Sequence, residues 1–103
     1  MVQKIIWTKE SLNNLSDIKD YISTDSEYYA SKTINLIYLS AQKLLKFHEV
    51  GMVINKAGNF QVRRVLVKSY RLLYIIKDEK IYIIAVYHQL RQLPESFNFP
   101  DLL

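Results

Sequence analysis

Residues 60–88 constrain the fold more than any other stretch. Three runs rich in β-branched and aromatic residues, Phe60–Val67, Tyr70–Lys77 and Lys80–His88, are separated only by Lys68-Ser69 and Asp78-Glu79. Such side chains favour a pleated, half-buried backbone. A two-residue link cannot carry a parallel crossover, so consecutive runs must pair antiparallel. Neither link is an Asn-Gly signal, so residue type leaves the turn geometry open. A sheet with an apolar face must bury it, and the remaining chain has to supply the cover.

The first half of the chain supplies it. Val2–Trp7 reads as a short strand, and Thr8 as the N-cap of a helix from Lys9 to Ser23. Leu12, Leu15, Ile18 and Ile22 recur there at helical spacing between polar residues. The segment STDS breaks that helix, because short polar side chains compete for the backbone. Thr24, as the start of a Thr-x-x-Glu capping box, or Asp25 or Ser26 caps the next one. Ala30, Ile34, Ile37, Ala41 and Leu44 form its stripe, widened by Thr33, Tyr38 and Leu45. The second helix runs to about Phe47, and Gly51 stops the exit. So short a loop between amphipathic helices implies an antiparallel αα-hairpin. Met52–Asn59 reads as irregular, with Asn55, Lys56, Gly58 and Asn59 as turn formers. The tail LPESFNFPDLL, with its prolines, reads as an extended strap over an apolar surface. The expected fold is α+β, in the order β-α-α-β-β-β, with the αα-hairpin packed on one face of an antiparallel sheet. The chain is expected to form one domain, residues 1–103. The strand beside which the N-terminal strand lies is not specified.

Alternation then decides which side chains meet. With Lys68-Ser69 as a two-residue loop, Val67 faces Tyr70, Leu66 faces Arg71 and Arg64 faces Leu73. Arg64 and Arg71 become diagonal neighbours, roughly 7–8 Å apart at the backbone. With Asp78-Glu79 as the next loop, Arg71 faces Val86 and His88 lies one step along. Arg64, Arg71 and His88 would then cluster on one face. A one-residue bulge would instead turn His88 away and bring Tyr87 round. The other face, with Val65, Val67, Tyr70, Leu72, Tyr74, Ile76, Ile81, Ile83 and Ala85, is assigned to the helices. The cationic face also carries Phe60, Val62, Leu66, Leu73, Ile75, Tyr82, Ile84 and Val86, and is expected to stay open unless the tail or a partner covers it. The simpler account is that these arginines are solvated or ion-paired and that His88 is a satisfied strand-end residue. His48 and the lysines at 56, 68 and 77 are assigned that ordinary role.

Composition excludes much else. Two glycines cannot build a phosphate-binding Gly-rich loop, and no cysteine is present for disulfides or thiol catalysis. No spacing suggests a metal site, and no cofactor is expected. No apolar run approaches a membrane span, and the start MVQKIIWTKE lacks a signal-peptide core. A cytoplasmic protein is expected. The net charge of +4 suits an acidic partner or nucleic acid, and equally suits simple solubility.

Taken in order, IIWTKESLNNLSDIKDYI, DSEYYASKTINLIYLSAQKLLKFHEVG and YRLLYIIKDEKIYIIAVYHQLR resemble the RelE/ParE superfamily of toxins from type II toxin–antitoxin systems. The resembling features are a strand ending in Trp, an L-x-x-I-x-x-Y-I helix and a long second helix with a Phe-x-x-x-Gly exit. A YR strand and a last strand ending near His and Arg complete the pattern. The resemblance implies a cytoplasmic growth-inhibiting toxin held in a heterocomplex by a cognate antitoxin, whose flexible part wraps it. It also implies one of two mechanisms. ParE-like members poison DNA gyrase, whereas RelE-like members cut mRNA on the ribosome. In the RelE-like case Arg71 and Arg64 would be catalytic, stabilising phosphate charge, and His88 would exchange protons. In either case Arg63, Tyr87 and Arg91 are candidates for target binding. The long helices, the H-x-x-R ending and the lack of a lysine cluster favour the ParE-like branch. A non-toxic protein-interaction domain is the remaining alternative.

Overall fold

A computed structural model describes residues 4–90 of the chain. The elements are β1 (Lys4–Trp7), α1 (Lys9–Ser23), α2 (Glu27–Lys43), β2 (Met52–Ala57), β3 (Phe60–Val67), β4 (Tyr70–Lys77) and β5 (Lys80–His88). Both helices begin where a short hydroxyl side chain can accept an orphan amide. Thr8 accepts from the Ser11 amide and Ser26 from the Tyr29 amide. Ser26, rather than Thr24 or Asp25, is therefore the second cap. The α2 helix ends at Lys43, in turns that reach Lys46 and Phe47.

The sheet has five strands in the order β1-β5-β4-β3-β2. β1 lies parallel to β5, and the other pairs are antiparallel. The α+β class, the leading strand and the helical hairpin are as expected. The sheet, however, is mixed and holds one strand more. Met52–Ala57 is that strand, in spite of its turn-forming composition, because it completes the ladder of β3. Its polar residues suit an edge position, where one side of the backbone faces water.

The principal core lies between the helices and one sheet face. Ile37, Ala41, Leu44, Val67, Leu72, Tyr74, Ile81, Ile83 and Val86 are buried there, with Trp7, Leu15 and Ile18 packed against them. Leu12 belongs to the α1 apolar stripe by spacing but is half exposed. Trp7 stacks on Tyr38 with ring centroids 6.2 Å apart, so the end of β1 also leans on α2. The far face of the sheet is not open at its centre. Val62, Leu73, Ile75, Ile84, Ala85 and Tyr87 are buried there, with Phe60 and Tyr82 packed against them. Only rim residues such as Leu66 stay exposed. The strap proposed for the C-terminal tail lies outside the described residues.

The hairpin turns use strained backbone. Asp78 and Glu79 both lie at positive φ, 52° and 62°, as a type I′ turn requires. Lys68 sits at φ 54°.

Candidate functional site

The two arginines of the middle strands meet as alternation predicts. Arg64 pairs across with Leu73 on one side and Met52 on the other, and its guanidinium lies 3.3 Å from the Met52 sulfur. Arg71 sits between Leu66 on β3 and Tyr87 on β5. Arg64 and Arg71 thus share the far face as diagonal neighbours, beside exposed Leu66 and Met52.

His88 does not join them. Leu73 pairs with Ala85 but Tyr74 pairs with Ile83, so Ile84 is an extra residue in β5. This bulge puts Ile84 and Ala85 on the same, far face and inverts the parity of everything after it. Val86 and His88 turn to the helix side, and Tyr87 rather than Val86 stands opposite Arg71. The expected Arg64/Arg71/His88 cluster is therefore not assembled, and Ala85 and Val86 exchange their expected faces. His88 instead faces Tyr70 edge-on, with ring centroids 5.4 Å apart, and its Nδ1 accepts the Leu90 amide at 3.2 Å.

Arg63 is held by the protein itself. It shares the helix side with Tyr74 and donates to the Glu49 and Gly51 carbonyls at 3.0 and 2.8 Å, and to the Gln61 side chain. The Tyr74 hydroxyl donates to the His48 carbonyl and accepts the Gly51 amide, both at 2.9 Å. Together they staple the exit of α2 to the start of β2. Burial raises the Tyr74 phenol above its usual range, although the Gly51 amide and the Arg63 charge oppose this. A Cβ on Gly51 would lie 2.6 Å from the Tyr74 hydroxyl, so only glycine allows this approach. Tyr87 is buried, and its hydroxyl reaches Glu10 of α1 at 3.4 Å. Arg91 lies outside the described residues. Among the expected target-contacting residues, Arg63 and Tyr87 are thus tied into the fold.

Two features escaped sequence reasoning. The first is charge segregation. Residues 28–77 carry nine Lys and Arg against one acid, Glu49, whereas residues 9–27 carry five acids against two lysines. Because α1 packs on β5 and β2 closes the opposite side, the acid-rich first helix lies away from the β2 edge, where Lys56 sits beside Arg63 and Arg64 of β3. That edge also exposes Phe47, Val50, Met52, Val53 and Ile54. The signal lay in the charge order, but its meaning needed the strand order. The second is a groove of about 500 Å³ between α1 and the ends of β4 and β5. Asn14, Asp17, Ile18 and Tyr21 line it from one helical stripe, facing Tyr70, Val86, Tyr87 and His88. Among the described residues no group of His, Asp and Glu is arranged to hold a metal ion, and no helix is long and apolar enough to cross a membrane.

A comparison with curated proteins gave no match. Among solved structures, the chain is similar to one described as "Chromosomal ParDE TA system from P. aeruginosa", with a TM-score of 0.71 and 18% identity. The likeness covers 84% of this chain and 96% of the other, and at that identity it speaks for the fold. The sequence also matches, over residues 5–93, the family described as "ParE toxin of type II toxin-antitoxin system, parDE". With that match spanning most of its length, the chain belongs to the ParE toxin family of type II toxin–antitoxin systems and has a cognate ParD antitoxin as its partner.

Proposed function

We propose that this toxin arrests growth by poisoning DNA gyrase, acting in the cytoplasm, and that its antitoxin silences it by covering the basic, apolar β2 edge. The observation that carries the first part is the separation of His88 from Arg64 and Arg71 by the bulge at Ile84. Cutting RNA without a metal needs a proton-transfer group and cations around one phosphate. Here the imidazole and the guanidinium pair lie on opposite sheet faces. A toxin that acts by binding needs no such convergence.

The second part rests on the β2 edge. An exposed strand edge with cations and apolar side chains suits an extended, acidic and apolar segment that adds as a further strand. A segment that folds on binding covers such a surface without a preformed domain.

Purified, antitoxin-free protein is expected to block gyrase supercoiling and trap cleaved DNA, with His88→Ala as effective as the parent. Unimpaired supercoiling at saturating toxin would remove this reading. The ribosome-dependent nuclease reading draws on the adjacency of Arg64 and Arg71. Codon-phased mRNA ends after induction, abolished by Arg71→Ala and His88→Ala, would establish it instead.

A further inference from the structure

We propose that the groove between α1 and the ends of β4 and β5 binds an arginine side chain presented by a partner polypeptide. The lining is unlike the rest of the surface. The chain carries fourteen Lys and Arg, yet none of the described residues that line this groove is one of them. Its charged member is the carboxylate of Asp17, which is exposed and makes no ion pair among the described residues. Asp17 lies one helical turn from Asn14 and from Tyr21, so the helix places a carboxylate between an amide and an aromatic ring.

The other wall is aromatic. Tyr70, Tyr87 and His88 come from neighbouring strand ends, and the Tyr70 and His88 rings hold each other edge-on. Burial raises the Tyr70 phenol, with the Tyr21 phenol adding to it, so it stays neutral and offers its ring and hydroxyl. Ring faces and one free carboxylate are the elements that recognise a guanidinium, which stacks on the former and pairs with the latter. A groove of about 500 Å³ has room for such a side chain with its flanking backbone. The Asn14 carbonyl oxygen is occupied by the Val86 amide at 3.0 Å, which fixes the helix against the strand and keeps the groove in shape. This site is separate from the β2 edge and does not depend on which target the toxin attacks.

The test is a titration of the full-length toxin with Nα-acetyl-arginine methylamide, followed by amide NMR. The matching citrulline compound, which is neutral and nearly isosteric, is the control. Saturable shifts are expected at Asn14, Tyr70, His88 and Leu90, with a dissociation constant on the order of millimolar. Citrulline should bind at least about fivefold more weakly, and Asp17→Asn should lose a similar factor for the arginine probe. Asp17 and Tyr21 are both exposed, so Asp17→Asn and Tyr21→Ala leave the core intact, and an unchanged melting temperature verifies this. Shifts that map elsewhere, equal binding of citrulline, or no saturable shift would overturn the proposal. Loss of gyrase inhibition alone would not.

Discussion

At the β1–β5 edge the chain finishes its own sheet. β1 covers the first half of β5, and where it ends the Thr8 amide and hydroxyl both donate to the Ile83 carbonyl, at 3.1 and 2.8 Å. One turn into α1, the Asn14 side chain then accepts the Val86 amide. A helix thus supplies side-chain groups where a further strand would have supplied backbone. At the β2 edge the described residues provide no such cover. β2 is bulged between Val53 and Asn55, and exposes Val53, Ile54 and Lys56. Its anchorage is internal, through Arg63, Tyr74 and Gly51. The contrast suggests that an edge sealed by its own helix serves stability, while an edge merely anchored is kept available to a partner.

The comparison can be broken first at its anchor. Gly51→Ala should cost about 3 kcal/mol, because the added methyl meets a fully buried tyrosine that cannot yield. Urea unfolding measures this, and a cost under about 0.5 kcal/mol would show that the staple is slack. Next, Tyr74→Phe should cost about 2 kcal/mol by leaving the His48 carbonyl and Gly51 amide unpaired. The same substitution should flatten an alkaline transition. The folded-state pKa of Tyr74 is raised, so its contribution is complete below its unfolded value of about 10 and is lost as pH rises through the folded value. Stability of the parent should therefore fall faster above about pH 10 than that of the variant.

At the sealed edge, Asn14→Ala should cost about 1–2 kcal/mol, since the Val86 amide loses its acceptor. Hydrogen exchange should quicken at Val86 while remaining slow at Leu72. The smallest effect on folding is expected at the open edge. Ile54→Lys should change stability by less than about 0.5 kcal/mol yet weaken antitoxin binding at least about tenfold. Calorimetry against the antitoxin measures this. Unchanged affinity would mean that the antitoxin covers some other surface.

Much of the framework was readable in the chain. The bounds of α1, its Thr8 cap and the three long strands lie where periodicity and turn spacing put them. Local chemistry suffices there, because a hydroxyl cap or a two-residue link acts within a few residues. The adjacency of Arg64 and Arg71 followed for the same reason, from one tight turn.

Three things needed the assembled molecule. β2 is a strand because β3 offers it a ladder, against the turn-forming pull of Asn55 and Gly58. β1 finds its place only once β5 exists as a parallel neighbour. The side on which His88 stands hangs on one bulge within Ile83-Ile84-Ala85-Val86, where every residue is apolar and either alternation would bury acceptable side chains. Local pattern sets element type because capping and turn formation act at short range. Packing on both faces of the sheet chooses among registers that the pattern leaves nearly equal, and here that choice keeps the imidazole apart from the guanidinium pair.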